Sequence, residues 1–182
     1  MVKKIIVPIV ATILVVVIAV VGVNIYNNHN TLSYELYTEA EPWIYESYLE
    51  NNKVYGAHYK IPNYNPDEDG WGSKYYVDET SPKTRTVVIT DEEAFNEIFK
   101  EGDLDVDYNK EMLILHIFVD ISPASFYKIA KIELDDEQVL RVYYKEKEGT
   151  ENLLAGMRPN PTCFLVKMKK TDVTAVEFVE ER

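Results

Sequence analysis

The N-terminal part of this chain contains an uncharged apolar run, residues 5–23, directly after the basic pair Lys3 and Lys4. A helix over these 19 residues reaches ~28 Å, which is close to the ~30 Å hydrocarbon core of a bilayer. Because the next basic residue is Lys53, the charge bias keeps the N-terminus cytoplasmic and places the rest of the chain outside. The run therefore predicts a single-pass anchor in the cell membrane, residues 1–26, followed by an extracytoplasmic domain.

A cleaved signal peptide is the alternative interpretation of the same run. Val20 and Gly22 are small enough for the positions before a cleavage site. The run is longer than an ordinary signal-peptide core and has no Ala-x-Ala motif, so we favour a retained anchor. The polar residues 27–33 that follow are typical of a juxtamembrane spacer.

The extracytoplasmic part of the chain is strongly acidic. All 31 acidic residues lie after residue 23, together with 17 of the 19 basic residues, which gives this part a net charge of −14. Binding to nucleic acid requires clustered Lys and Arg, so the balance excludes nucleic acid as a partner. Residues 24–182 suit one domain. The single cysteine, Cys163, cannot form an internal disulfide and is expected to be a small buried core residue.

Residues 34–80 form a tyrosine-rich N-terminal section that carries nine of the 14 tyrosines and both tryptophans. Its two aromatic runs, residues 43–49 and 54–61, flank an Asn-Asn pair and predict a hairpin. A short helix that begins at Pro42 fits the first run almost equally well. Residues 62–72, which contain Pro, Asp and Gly, indicate a loop.

The remaining section, residues 81–182, has clearer patterning. A β-branched strand is predicted at residues 84–89. Thr90 and Glu93 have the spacing of a capping box, which predicts the start of a helix. Gly102 is placed to end that helix.

One long run in this section has no polar alternation. Residues 112–119 therefore predict a central strand that is covered on both faces. Two hairpins are predicted after it, the first from residues 126–134 and 139–145, the second from residues 163–168 and 173–179 with its turn at residues 170–172. The predicted fold class is α+β, an antiparallel sheet of six strands with one packed helix, behind a single N-terminal transmembrane helix.

The order of these elements resembles the C-terminal domain of the protease complex subunit PrcB family over residues 82–180. The similar stretches are TRTVVITDEEAFNEIF, VDYNKEMLILHIFVD, FYKIAKIELDDEQVLRVYY and PNPTCFLVKMKK. The family is often glycine-rich after the central strand, whereas this chain has ISPAS at residues 121–125. The resemblance implies a PrcB-like domain at residues 81–182, an accessory subunit that associates with and stabilises an extracytoplasmic protease and brings no catalytic residues of its own.

The three histidines do not suggest a catalytic or zinc site. His29, His58 and His116 fall in different settings, and no short ligand spacing of the zinc kind is present. His116 lies in the apolar run, where we expect a hydrogen-bonded core residue. The chain has no nucleophile-elbow motif, although a triad assembles only in space. We predict no catalytic residues and no cofactor.

The acidic loop contains the sharpest local pattern in the sequence. Asn65, Asp67, Asp69 and Gly70 match positions one, three, five and six of a calcium loop. Position twelve should be a bidentate glutamate, but it is Tyr76. The loop is therefore a weak calcium candidate, and a solvated acidic turn is the alternative.

The aromatic side chains of the first section indicate a binding surface. Trp71, Tyr64 and Tyr75 are the interface candidates, because Tyr and Trp anchor protein interfaces, and most of the other aromatic residues are expected to pack internally. We expect a membrane-anchored, extracytoplasmic and non-catalytic accessory domain, with an extracytoplasmic protease as the candidate protein partner. A ligand-binding module of the cell envelope that uses the aromatic section and the acidic loop is the alternative.

Overall fold

The computed structural model describes residues 32–38, 40–65, 74–100, 104–149 and 158–181. In chain order its elements are β1 Tyr34–Tyr37, α1 Glu46–Asn51, β2 His58–Lys60, β3 Tyr75–Val77, β4 Arg85–Ile89, α2 Glu92–Ile98, β5 Glu111–Asp120, β6 Tyr127–Leu134, β7 Val139–Glu146, β8 Asn160–Lys169 and β9 Ala175–Glu180. Two short 3-10 helices, Glu41–Trp43 and Ala124–Phe126, precede α1 and β6.

The centre of the fold is a four-stranded antiparallel sheet with the order β1-β8-β5-β4. Strand β5 pairs with β8 along ten residues and with β4 on its other side. Residues 112–118 of β5 are all buried, which explains why this run shows no polar alternation. The prediction of a central strand covered on both faces is confirmed.

Two different layers cover the faces of this sheet. On one face, Leu113 and Leu115 of β5 pack in a cluster with Ile44 and with Ile98 and Phe99 at the end of α2. On the other face, the alternate residues of β5 and β8 pack against the sheet formed by β6, β7 and β9; this cluster consists of Met112, Ile114, Ile129, Ile132, Leu140, Val142, Val166 and Met168. The sheet is therefore the middle of three layers, and its alternating side chains supply both cores.

The third layer is a three-stranded sheet with the order β6-β7-β9. The predicted hairpin of β6 and β7 is confirmed, and its turn is held by the Asp135 carboxylate, which accepts hydrogen bonds from the backbone N–H groups of Glu137 and Val139. Gln138 completes the turn with a φ of 60°.

The second predicted hairpin is wrong. Strand β8 lies between β1 and β5 in the four-stranded sheet, whereas β9 crosses to the other sheet and pairs in parallel with β7. The burial of the two strands explains the separation. Residues 162–166 of β8 are buried on both faces and require an interior position, whereas β9 is partly exposed throughout and suits an edge.

The predicted α+β class, with one antiparallel sheet and one packed helix, is also wrong. The described residues are mostly β-sheet, with nine strands in three sheets, one parallel pairing, and two α-helices of six and seven residues. None of the helices in the described ranges has the length and apolar character that crossing a bilayer requires. The transmembrane helix predicted at residues 5–23 lies outside these ranges.

Helix α2 begins one residue later than the capping-box pattern predicts. Asp91 is the N-cap, and its Oδ1 accepts a hydrogen bond from the N–H of Ala94 at 2.9 Å. The helix ends at Ile98, because Phe99 is extended and forms an isolated bridge with Ile44. Gly102, the predicted end, lies outside the described residues.

The tyrosine-rich section adopts the helical alternative for its first run. Pro42 lies in the first 3-10 helix, and the N–H of Asn52 bonds to the carbonyl of Tyr48 as the C-cap of α1. The hairpin between residues 43–49 and 54–61 is therefore wrong, because the Asn-Asn pair ends a helix. Strand β2 pairs instead with β3, which lies after the predicted 62–72 loop in the sequence.

Candidate functional site

A cleft of about 560 Å³ lies between the tyrosine-rich section and one end of the four-stranded sheet. Its lining includes three tyrosines, Tyr59, Tyr75 and Tyr76, and four carboxylates, Glu41, Glu46, Glu50 and Asp120. This volume is in the range of sites that bind a small ligand or a few side chains of a short peptide. We take this cleft, hereafter the tyrosine cleft, as the candidate site.

The tyrosines of the cleft are held by the pairing of β2 with β3. Tyr59 and Tyr76 lie opposite each other in this pair, with ring centroids 6.1 Å apart. The backbone N–H of Val54 donates to the Tyr59 hydroxyl oxygen at 2.9 Å, and burial raises the pKa of that hydroxyl. The Nζ of Lys53 lies 5.7 and 5.1 Å from the centroids of the two rings, within the range of a cation–π contact.

The carbonyl of Pro159 connects β2 to the segment that precedes β8. The backbone N–H of His58 donates to the oxygen of Pro159 at 3.0 Å, and Nδ1 of the same histidine lies 3.0 Å from that oxygen. His58 and Pro161 both line the cleft, so this contact joins its two sides. The imidazole of His58 therefore serves as a structural link in the described structure.

Tyr75 is flanked by two cations. The Nζ of Lys74 lies 5.4 Å from the centroid of its ring, and the guanidinium carbon of Arg158 lies 4.9 Å from it. These contacts orient a half-buried ring in the wall of the cleft.

The acidic side of the cleft comes from the first 3-10 helix and from α1. Glu46 and Glu50 are four residues apart and therefore lie on one side of α1. Glu46 forms an exposed contact of 3.8 Å with Lys60. Glu41 also lines the cleft, and neighbouring atoms desolvate its carboxyl and raise its pKa although the residue as a whole is exposed.

Another part of the lining comes from the corner where β5 ends. Asp120 accepts a hydrogen bond from the Tyr127 hydroxyl at 2.5 Å through Oδ2 and one from the N–H of Ser122 at 2.8 Å through Oδ1. Burial, and then Asp120, raise the pKa of the Tyr127 hydroxyl. The carboxylate is therefore fixed in position, next to an Ile121 side chain that is 41% exposed.

The structure brings one of the predicted interface residues into the cleft. Tyr75 lines it, whereas Tyr64 is half-buried elsewhere and Trp71 lies outside the described residues. The predicted calcium loop falls largely in the same undescribed stretch, which includes Asp67 and Asp69 but not Asn65. Within the described ranges, no group of three His, Cys, Asp or Glu side chains is placed to hold a metal ion. The calcium site stays a prediction.

Sequence reasoning missed the carboxylates and the Asp120 corner. Glu46 and Glu50 resemble ordinary solvated residues of a short helix, and only their four-residue spacing marks a shared side. The corner had a stronger signal. It begins at Asp120, the last residue of β5, and Ile121 is an apolar residue directly after the strand.

The other chemically interesting side chains are buried in the core. The Oγ1 of Thr86 lies 2.9 Å from Nδ1 of His116, and burial lowers the pKa of this imidazole to about 3. Burial raises the pKa of the Cys163 thiol to about 12. The predictions that His116 is a hydrogen-bonded core residue and Cys163 a buried one are confirmed.

Comparisons with known proteins found no relative of this chain. No model of a protein family matches the chain, and no match was found among curated proteins or among solved structures. The resemblance to the PrcB family therefore stays a prediction.

Proposed function

We propose that this chain is a non-catalytic, extracytoplasmic accessory domain that binds a protein partner in the tyrosine cleft. The observation that carries the proposal is the joint lining of one cleft by tyrosines held in position, by four carboxylates, of which Asp120 is held by two hydrogen bonds, and by an exposed isoleucine. Aromatic anchors surrounded by charged residues are characteristic of protein interfaces.

The rigidity of the lining supports this function. Tyr59 is held by a backbone hydrogen bond, Tyr75 by two cations, and Asp120 by two donors. In the part of the chain that the structure describes, every buried side-chain nitrogen and oxygen has a hydrogen-bond partner. A preorganised surface loses little conformational entropy when a partner binds, which favours affinity.

The sequence supports a partner outside the cell, with an extracytoplasmic protease as the first candidate. Residues 5–23 have the length and composition of a membrane anchor, and residues 82–180 resemble a family of protease accessory subunits. The domain would associate with such a protease and stabilise it, and would supply no catalytic group.

Site-specific photo-crosslinking in intact membranes tests this function. A photo-crosslinking amino acid replaces Ile121 in the full chain, and a matched variant carries it at Asp136, which is exposed at the far end of the β6–β7 hairpin. We expect one extracytoplasmic protein to be crosslinked at position 121 but not at position 136. No product at 121, or equal yields at both positions, would contradict the proposal.

A ligand-binding module of the cell envelope is the second candidate. The volume of the cleft, about 560 Å³, and its tyrosine lining favour it, because aromatic rings pack against sugar rings. Calorimetric titration of the full chain with soluble cell-wall disaccharide fragments tests this function. Binding that Tyr75→Ala abolishes, without any crosslinked protein at position 121, would replace the accessory function with this one.

A further inference from the structure

We propose that the tyrosine cleft selects an extended segment of its partner that carries Lys or Arg next to an apolar or aromatic side chain. This inference rests on the proposed function, because it specifies the chemistry of the segment that the cleft accepts.

The charges in the cleft do not balance. Four carboxylates line it, against two lysines. Both lysines already have partners, since Lys53 lies over two tyrosine rings and Lys60 contacts Glu46. Among the described residues, the other three carboxylates, Glu41, Glu50 and Asp120, form no salt bridge. The residues that line the cleft therefore carry an excess of negative charge; the cations Lys74 and Arg158 contact the ring of Tyr75 but are not among the lining residues.

Two of these carboxylates are suited to accept a hydrogen bond from a cation. A carboxylate has about four acceptor positions, and two of those of Asp120 are used by Tyr127 and Ser122. The carboxyl of Glu41 is partly desolvated by its surroundings, which disfavours its charge. An ammonium or guanidinium group placed beside Glu41 would remove that disadvantage, so the free energy of binding gains more there than at a fully solvated carboxylate.

Apolar surface lies beside these charges. Ile121 is 41% exposed and follows Asp120 directly. Tyr75 and Pro62 also line the cleft. A single small cation would leave this surface in contact with water, whereas an extended peptide that alternates basic and apolar side chains covers both. The lining therefore favours a peptide segment over a small cation.

The net charge of the whole domain also favours a basic partner segment. The net charge of −14 after residue 23 attracts basic segments and repels anionic polymers. Such a field raises the association rate of the favoured partner and depends on ionic strength.

Peptide binding to the full chain in detergent micelles tests the inference by fluorescence anisotropy. The probes are fluorescein-labelled peptides of about ten residues that share one tyrosine, one leucine and two prolines and differ only at two positions, which hold lysine, glutamine or glutamate. We expect the lysine peptide to bind about tenfold more tightly than the glutamate peptide, and its advantage to shrink when NaCl is raised from about 50 mM to about 500 mM. The glutamine peptide should be intermediate.

Matched variants connect the preference to the cleft. The double variant Glu41→Gln and Glu50→Gln removes two of the uncompensated charges and should reduce the preference for lysine to about threefold or less. The control, Glu137→Gln, removes a charge from the exposed β6–β7 turn and should leave the preference unchanged. Loss of the preference in both variants would show that the net charge of the domain, and not the cleft, selects the peptide.

The remaining outcomes separate this inference from the proposed function. If the three peptides bind equally, or if none binds, while position 121 still crosslinks a protein, the inference is wrong and the accessory function stands. If the lysine peptide is preferred and the double variant loses that preference, but no protein is crosslinked, the inference stands and the accessory function fails.

Discussion

The imidazole of His116 lies almost parallel to the ring of Phe178, with centroids 3.9 Å apart and an interplanar angle of 8°. His116 belongs to β5 and Phe178 to β9, so the contact connects the central sheet to the third layer. Phe118 and Phe164 surround the same imidazole. Burial among these rings lowers the pKa of His116 to about 3, which keeps the ring neutral over the range in which free histidine titrates.

The low pKa of His116 predicts that the domain loses stability in mild acid. Below pH 6.5 the unfolded chain takes up a proton that the folded chain does not accept until about pH 3. The free energy of unfolding should therefore fall with a slope that approaches ~1.4 kcal/mol per pH unit below pH ~6, which amounts to ~1.6 kcal/mol between pH 6.5 and pH 5. Denaturant unfolding at several pH values measures this slope.

The variant His116→Phe keeps an aromatic ring in the stack and removes the titrating group. Its free energy of unfolding should be nearly independent of pH between 6.5 and 5. Asp135 is a hydrogen-bonded carboxylate whose pKa is lowered mainly by the N–H of Val139. The contribution of such carboxylates to the free energy of unfolding is lost at lower pH, and it is lost equally in both proteins. If the free energy of unfolding depends on pH equally in the two proteins, a group other than His116 causes the loss of stability in acid.

The second prediction concerns the centre of the fold. Leu115 is fully buried in β5, so Leu115→Ala removes buried side-chain carbon atoms and should lower the free energy of unfolding by ~2–5 kcal/mol through the cavity that this leaves. Lys128→Ala, at an exposed position of β6, should change it by less than ~0.5 kcal/mol. Urea denaturation compares the two, and similar small losses would place the core elsewhere.

The third prediction concerns the start of α2. Asp91→Ala removes the side chain that accepts the Ala94 N–H and should lower the free energy of unfolding by ~1 kcal/mol. Asp91→Asn retains an acceptor oxygen and should retain most of that stability. If both variants lose the same amount in thermal melts, the carboxylate charge at the helix N-terminus matters more than the cap.

The parts of the fold that could be predicted are those with local signals. Strand β5 is recognisable because a run of apolar residues without alternation requires cover on both faces, and the β6–β7 hairpin because turn residues such as Asp135 join its strands. The separation of β8 and β9 has no such signal. Residues 170–172 have the composition of a tight turn, and only the pairing of β8 with the distant β1 and β5 moves β9 to the other sheet.

The candidate site was predictable only in part for a similar reason. Tyr75 was identified because an aromatic residue near a loop is a typical interface anchor. Glu41 and Asp120 are far apart in the sequence, and each alone is an ordinary acidic residue of an acidic chain. Only tertiary structure places both in one cleft, where desolvation of the Glu41 carboxyl and the hydrogen bonds of Asp120 distinguish them from ordinary solvated carboxylates.

The last prediction concerns the only thiol in the chain, which makes alkylation unambiguous. Burial and, to a smaller extent, the Glu41 carboxylate raise the pKa of Cys163 to about 12 from a usual value of 9.0. At pH 8 its thiolate fraction should be about a thousandfold smaller in the folded than in the unfolded chain, so iodoacetamide should label the native protein at least about a hundredfold more slowly. Mass spectrometry of timed samples, with and without guanidinium chloride, measures the ratio.

A charge variant separates the two causes of this low reactivity. Glu41→Gln removes the negative charge next to the thiol but leaves Cys163 buried, so labelling of the folded protein should stay slow if burial is the main cause. Rapid labelling of Glu41→Gln at unchanged thermal stability would show instead that the Glu41 carboxylate controls the thiol. It would also show that the electric field of the tyrosine cleft extends into the core beneath it.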